Sequence, residues 1–212
     1  MAGSEYHRVF LLSPANASGE RMQLLLRPGA QFDLARRLRA GTATLGEAFE
    51  FTSGLYFRGK LLYARTFARP PTGVPGVLVI APGAGLVPAE VNVDAAQIER
   101  LGKVPVDAND RRFREPLEAS ARLIHGALPP QAEIVLLGSI ASAKYVDPLL
   151  GVFGERLLFP PTFVGRGDMS RGGLLLRSAR TGTELEYAKV EGAVRHGPRP
   201  ARLPRLPRRP VD

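Results

Sequence analysis

A glycine-rich segment near the C-terminus carries residue types suited to chemistry on an anionic ligand. It reads Gly165-Arg166-Gly167-Asp168-Met169-Ser170-Arg171-Gly172-Gly173. The glycines allow main-chain N–H groups to approach a ligand, and Arg166 and Arg171 present fork-shaped donors that match phosphate. Ser170 adds a hydroxyl, and Asp168 is the single acid. We interpret the segment as an anion-binding loop in which Asp168 is a catalytic or base-reading carboxylate. The alternative is a turn capped by an Asp–Arg pair.

A second candidate cluster lies in the segment Gly54-Leu55-Tyr56-Phe57-Arg58-Gly59-Lys60. Tyr56 or Phe57 could stack against a base, while Arg58 and Lys60 could hold a phosphate. Lys60 stands out because the chain has only four lysines against 25 arginines. The alternative interpretation is that the aromatic rings belong to the core and the cations are solvated.

A third cluster consists of Ser139, Lys144 and Tyr145, which follow an apolar run at 134–137. Ser139 would contribute a hydroxyl at the start of a helix, and helix N-termini bind anions. Ligands of open α/β sheets bind beyond the carboxyl ends of the strands. Ser139 is therefore a candidate substrate-binding residue.

The elements that must position these residues are short apolar strands separated by helices. Buried strands are predicted at 8–12, 77–80, 134–137 and 156–159. The clearest helix is predicted at 112–128, where apolar residues recur every three or four positions. Strands that are apolar on both faces are typical of a mainly parallel sheet covered by helices. The segments 174–177 and 184–187 resemble a β-hairpin. We therefore predict an α/β fold, a three-layer sandwich with a mainly parallel central sheet and a C-terminal β-hairpin, in one domain over residues 1–194.

The C-terminal segment 195–212 differs sharply in composition from the rest of the chain. It contains six arginines, one acid and five prolines, and contributes five of the nine net positive charges of this 212-residue chain. Proline lacks an amide donor and restricts its predecessor, so neither a helix nor an inner strand is favoured. We predict a disordered tail, which either attracts phosphate electrostatically or is a dispensable terminus.

Composition and motifs also exclude several functions. The chain has no cysteine, so disulfides, thiolate catalysis and cysteine-bound metals are excluded. Its three histidines lie far apart, and neither a Walker A motif nor a dinucleotide fingerprint is present. We therefore expect no metal and no cofactor. No apolar run approaches the roughly 18 residues of a membrane span, and no signal peptide is evident. We expect a cytoplasmic protein without a membrane partner, and the sequence does not specify its oligomeric state.

The order of strands and loops resembles that of the uracil-DNA glycosylase superfamily over about half of the chain. The resemblance rests on the first strand and its turn Ser13-Pro14-Ala15-Asn16, on Ile134-Val135-Leu136-Leu137-Gly138-Ser139-Ile140-Ala141, and on a short strand that enters a polar loop. It implies that Asn16 matches the residue that positions water after the first strand. The late histidine-containing loop of that family has no counterpart in 163–170.

These observations together predict an enzyme that acts on nucleic acid or a nucleotide, with hydrolysis of an N-glycosidic bond as the favoured reaction. Such chemistry needs an expelled base, a stacking ring, cations on phosphate and a polar group beside the reacting carbon. The catalytic candidates are Asp168 and Asn16. The substrate-binding candidates are Tyr56, Phe57, Arg58, Lys60, Ser139, Arg166, Ser170 and Arg171. The partner would be a nucleic acid or a phosphate-bearing small molecule. The alternative is a non-enzymatic nucleic-acid-binding or adaptor protein that uses the basic tail.

Overall fold

The computed structural model describes residues 6–141, 143–201 and 203. The strands are β1 (Arg8–Leu12), β2 (Ala43–Thr44), β3 (Val77–Ala81), β4 (Gly85–Pro88), β5 (Asn92–Val93), β6 (Glu133–Leu137), β7 (Leu157–Phe159) and β8 (Ala188–Lys189). The α-helices are α1 (Glu20–Leu26), α2 (Asp33–Arg39), α3 (Leu45–Ser53), α4 (Leu55–Phe67), α5 (Ala95–Gly102), α6 (Arg111–Ala127), α7 (Ala143–Phe153) and α8 (Asp168–Thr181). Single-turn 3-10 helices lie at Gly154–Arg156 and Pro161–Phe163.

Six strands form the central sheet in the order β4-β3-β1-β6-β7-β8. The four inner strands are parallel, and the two edge strands are antiparallel to their neighbours. All five residues of β1 are buried, because helices cover both faces of the sheet. The predicted α/β fold with a mainly parallel central sheet is therefore confirmed, as is the predicted three-layer arrangement.

The side chains of β1 alternate between two separate cores. Phe10 and Leu12 pack on one face of the sheet with buried residues of α1, α3, α4 and α8, whereas Val9 and Leu11 pack on the other with α6 and α7. Successive side chains of a strand point to opposite faces. The same strand therefore anchors both helical layers, and its carboxyl end is held from both sides.

Helices α4 and α8 cross in very close contact at two glycines. A Cβ atom on Gly59 would lie 2.7 Å from the carbonyl oxygen of Gly172, and one on Gly172 would lie 2.8 Å from that of Leu55. Real Cβ atoms do not approach backbone so closely, so the two helices can pack this way only without side chains at these positions. The crossing brings Lys60 of α4 beneath the first turn of α8.

The predicted C-terminal β-hairpin is wrong. Residues 174–177 belong to α8, and segment 184–187 is not a strand. Gly182, which lies between the two segments of the predicted hairpin, is the left-handed C-terminal cap of α8, with φ of 67° and its N–H bonded to the carbonyl of Ser178. A glycine just past a helix has this geometry as readily as a glycine in a turn. The same helix shortens the predicted anion-binding loop, because Asp168, Ser170 and Arg171 lie on α8.

The start of the Pro/Arg-rich segment lies against the body of the protein. The guanidinium of Arg195 is 3.1 Å from the carboxylate of Asp147, and Gly165 packs so closely on the carbonyl oxygen of Pro198 that a Cβ atom at this position would clash with it. Residues 202 and 204–212, most of the predicted disordered tail, lie outside the described residues. Among the helices that the structure describes, none is both long and apolar enough to cross a membrane.

Candidate functional site

A cavity opens where the strand order of the parallel sheet reverses. The four parallel strands lie in the order β3-β1-β6-β7. The chain passes from β1 toward β3 in one direction across the sheet and from β6 to β7 in the other direction, so the reversal of strand order falls between β1 and β6. Ligands of open α/β sheets bind at this position, beyond the carboxyl ends of the strands. The cavity, here called the switch-point cavity, has a volume of about 460 Å³, which suits a small organic ligand. It is lined by Ser13, Pro14, Ala15, Asn16, Ser53, Tyr56, Val106, Ser139, Lys144, Tyr145 and Asp168.

Lys60 lies directly beneath the cavity and is 1% exposed. Its Nζ atom is 3.0 Å from the hydroxyl oxygen of Ser13 and 2.5 Å from the carbonyl oxygen of the same residue. The rings of Tyr56 and Phe57 lie 4.5 and 4.7 Å from Nζ. Burial lowers the pKa of Lys60 to about 7; the negative charge of Asp168 opposes this effect, and the positive charge of Arg171 adds to it. The amine is therefore partly neutral near neutral pH.

Tyr145 of α7 completes the polar floor of the cavity. Its phenol donates a hydrogen bond to the carbonyl oxygen of Ser139 at 2.9 Å. Burial raises the pKa of Tyr145, while hydrogen bonds with the Ser13 side chain and the Ser139 backbone act in the opposite direction. A Cβ atom on Gly138 would lie 2.8 Å from Cβ of Ser13 and 2.9 Å from the Tyr145 hydroxyl. Because residue 138 is glycine, there is space after β6 for Ser13, Lys60 and Tyr145 to come together. These three residues are here called the Ser13 cluster.

Asp168 begins α8 and faces the cavity with a side chain that is 68% exposed. Arg171 holds it from one side, with a guanidinium nitrogen 3.3 Å from the carboxylate. The other donors of Arg171 bond the carbonyl oxygen of Phe163 at 3.2 and 3.1 Å. Because Arg171 is itself buried, it fixes Asp168 at the rim without presenting its own charge to solvent.

Tyr56 forms the inner wall between Lys60 and the cavity. Its hydroxyl is buried and has no hydrogen-bond partner of standard geometry among the described residues, although the Arg171 side chain lies close enough to lower its pKa. Burial raises the pKa of this phenol well above its ordinary value, against the charge of Arg171. A buried phenol without a partner carries a free-energy cost that a ligand with an acceptor atom would remove.

Several residues predicted from the sequence meet at this cavity. Asn16, Tyr56, Ser139 and Asp168 line it, and Lys60 lies below. They come from four distant segments: the turn after β1, helix α4, the turn after β6 and the start of α8. Sequence reasoning did not select Ser13, although it directly follows β1, and it treated Tyr145 only as a neighbour of Ser139. The position after β1 pointed to the segment, but no local pattern indicated that Ser13 would meet Lys60.

Other predicted residues lie elsewhere. Phe57 is fully buried, with its ring 5.5 Å from that of Phe49 in an edge-on contact. Arg58 lies in a different groove, 4.0 Å from the carboxylate of Glu50.

Arg166 and Ser170 contact one another rather than the cavity. A guanidinium nitrogen of Arg166 is 3.2 Å from the Ser170 hydroxyl, and its Nε atom bonds the carbonyl oxygen of Thr162 at 2.9 Å. The same guanidinium reaches the carbonyl oxygen of Ala201 at 3.4 Å. These two side chains therefore connect the start of α8 to the C-terminal segment.

The switch-point cavity continues into a groove along the carboxyl edge of the sheet. A smaller cavity of about 290 Å³ shares Ala15, Asn16 and Val106 with it. That cavity in turn shares Pro82, Leu101 and Val104 with a cavity of about 610 Å³. The walls of the 610 Å³ cavity are mainly apolar, so a ligand with a polar head and an apolar body could occupy the groove.

The fold is that of a three-layer α/β protein with a cavity at the reversal of strand order. Within the described part of the chain, no group of three histidine, aspartate or glutamate side chains is placed to hold a metal ion. No protein-family model, no curated protein and no solved structure matches the chain. The functional argument therefore depends on the geometry of the cavity.

Proposed function

We propose that the protein is an enzyme that binds a nucleotide or a nucleic-acid strand at the switch-point cavity and hydrolyses an N-glycosidic bond there. The observation that carries the proposal is the meeting of Asn16, Tyr56, Ser139 and Asp168 at one cavity from four distant segments. Polar side chains that converge on loops at the carboxyl edge of a sheet are typical of an active site.

The proposed chemistry uses Asp168 and Asn16 at the rim of the cavity. Cleavage of an N-glycosidic bond develops positive charge on the sugar, which a carboxylate stabilises, and it requires a positioned water. Asp168 supplies the carboxylate, held by Arg171 at 3.3 Å. Asn16, the first polar side chain of the cavity after Ser13, supplies an amide that can orient water. The resemblance to the uracil-DNA glycosylase superfamily favours the same role for Asn16.

The remaining cavity residues suit recognition of a base and a phosphate. Tyr56 offers an aromatic wall and a buried hydroxyl that lacks a partner among the described residues, and flipped bases are recognised by stacking and hydrogen bonds. Lys144 is exposed and lines the same cavity, so its ammonium group is available to a phosphate. Ser139 adds a hydroxyl beside it.

Base release measured by chromatography and mass spectrometry tests this proposal. Nucleotides, single-stranded DNA, RNA and DNA carrying damaged bases are incubated with the wild type, Asp168→Asn and Asn16→Ala. We expect Asp168→Asn to lower the rate of base release by about 100-fold or more, the range usual for loss of an acid–base or charge-stabilising group. Asp33→Asn, a change of the same type on exposed helix α2, should leave the rate unchanged.

Two results would contradict the proposal. Equal rates for wild type and Asp168→Asn would remove Asp168 from the mechanism, and absence of base release from every substrate would remove the reaction. Salt-sensitive nucleic-acid binding that is lost with residues 195–212, without base release, would instead support the non-enzymatic binding protein.

A further inference from the structure

The Ser13 cluster is not used by the proposed N-glycosidic hydrolysis. We propose that Ser13 is a nucleophile, with Lys60 as its proton acceptor, that attacks the carbonyl carbon of a carboxylic ester bound in the switch-point cavity. The two residues are 47 positions apart in the chain and meet only because α4 packs beneath the carboxyl end of β1. This activity is independent of the proposed action on nucleotides.

The geometry of the pair is that of an activated serine. Nζ of Lys60 lies 3.0 Å from the hydroxyl oxygen of Ser13, within the distance at which a base accepts the proton of a nucleophile. The carbonyl oxygen of Ser13 accepts a hydrogen bond from the amine at 2.5 Å, and this bond holds the amine in one orientation. A neutral amine fixed in this way can direct its lone pair at the hydroxyl. Serine–lysine pairs are one of the recurring forms of hydrolytic dyad.

The surroundings of Lys60 favour a base over a structural cation. No carboxylate among the described residues bonds or pairs with its amine, although a buried ammonium normally requires such a partner. The titratable and charged groups that face it are Tyr56 on its own helix and Asp168 and Arg171 on α8, while Tyr145 on α7 lies on the other side of the Ser13 side chain. Burial leaves its pKa at about 7, close to the value that suits a general base at neutral pH.

The members of the Ser13 cluster differ in their access to the switch-point cavity. Ser13 lines the cavity, whereas Lys60 lies behind it and reaches the cavity only at the serine hydroxyl. Tyr145 is a positioning residue, because its phenol joins the Ser13 side chain to the Ser139 carbonyl. The apolar groove that continues past Asn16 fits an ester with an apolar acyl chain.

The proposed step balances without a further reactant except water. The oxygen of the Ser13 hydroxyl forms a bond to the ester carbonyl carbon, and its proton passes to Lys60. Collapse of the tetrahedral intermediate breaks the bond between the carbonyl carbon and the alcohol oxygen, and the alcohol leaves with that proton. Water then attacks the acyl–Ser13 ester, giving its proton to Lys60, which returns it to Ser13 as the carboxylic acid is released.

A serine-reactive fluorophosphonate tests the proposal without any nucleotide substrate. The full chain is labelled, and the modified residue is found by intact mass and peptide mapping. We expect one added phosphonyl group on Ser13 in the wild type, no such label in Ser13→Ala, and at least a tenfold slower reaction in Lys60→Met. Ser120→Ala, which removes a hydroxyl outside the cavity, should label at the wild-type rate.

The pH dependence of labelling separates a base from a merely structural lysine. The wild-type rate should rise with pH through a midpoint near 7, the pKa of Lys60, and Lys60→Met should lose that midpoint. p-Nitrophenyl esters with two to eight acyl carbons should be hydrolysed by the wild type and not by Ser13→Ala. Absence of label on Ser13 in folded wild type, or a rate without the midpoint, would overturn the proposal even if Lys60→Met does not fold. Labelling of Ser13 tests the proposed ester hydrolysis, and base release tests the proposed N-glycosidic hydrolysis. The failure of one proposal can therefore be distinguished from the failure of the other.

Discussion

Replacement of the buried Lys60 by methionine should remove a pH dependence of stability. The pKa of this amine falls from its ordinary 10.5 to about 7 because burial disfavours the charged form. Between these pH values the unfolded chain holds a proton on this amine that the folded chain has lost. The free energy of unfolding of the wild type therefore rises with pH across this window, and the full cost of charging a buried amine is present below it.

The magnitude follows from the width of the window. Each pH unit contributes about 1.4 kcal/mol, so the whole window from about 7 to 10.5 corresponds to about 4 to 5 kcal/mol. Lys60 is almost completely buried, so water does not screen this effect appreciably. Between pH 7 and 9, below the titration of ordinary tyrosines, the wild type should gain about 2 kcal/mol relative to Lys60→Met.

Urea unfolding at several pH values between 7 and 9 measures this difference. Lys60→Met substitutes an unbranched apolar side chain that is one atom shorter. It leaves the Ser13 carbonyl oxygen without its amine donor, which adds a destabilisation that does not depend on pH. The diagnostic quantity is how the difference in unfolding free energy between the wild type and Lys60→Met changes with pH, because the other titrating groups are common to both proteins. A difference that stays constant from pH 7 to 9 would refute the account of Lys60 as a buried amine with a lowered pKa.

Three further predictions concern packing and charge. Gly172→Ala should destabilise the protein by about 1 to 3 kcal/mol in thermal or urea unfolding, because its Cβ atom would lie 2.8 Å from backbone of α4. Gly126→Ala, in an exposed helical position with open space, should stabilise it by about 0.5 to 1 kcal/mol; equal effects would contradict the close helix crossing. Gly138→Ala should slow phosphonate labelling of Ser13 at least tenfold while the far-UV circular dichroism is unchanged, and an unaltered rate would show that the cluster tolerates the added methyl group. Removal of residues 195–212 takes away five of the nine net positive charges and should reduce retention on a DNA column at low salt; unchanged retention would place the contact elsewhere.

The parallel strands and helix α6 could be predicted from the sequence because their signals are local. An inner strand of a covered parallel sheet is apolar on both faces, and β1, β3, β6 and β7 all have this pattern. Gly54 and Gly59 both favour an interruption of a helix, but only Gly54 lies at a break, between α3 and α4, whereas α4 continues through Gly59. The edge strand β4 was missed because it begins with glycine and ends with proline, which are tolerated mainly at the edge of a sheet.

The error at α8 shows where a local pattern is insufficient. The apolar run at 174–176 is too short to distinguish a strand from a helix by periodicity. The helix is stabilised instead by its packing against α4, where Gly172 lies against the backbone of Leu55 and Tyr56. That contact joins segments more than a hundred residues apart, so no window of the sequence contains it.

The candidate site divides in the same way. The sequence by itself identified the segments after β1 and β6 and singled out Asp168 and Lys60, because residue type is a local property. Asn16 was a candidate through the resemblance to the uracil-DNA glycosylase superfamily. Only the tertiary structure decided that Lys60 points inward to Ser13 while Arg58, two residues earlier, faces a different groove. The physical reason is that side chains two positions apart on an α-helix point in nearly opposite directions, about 200° apart around the helix axis. Which of them becomes buried depends on the packing of α4 between the sheet and α8.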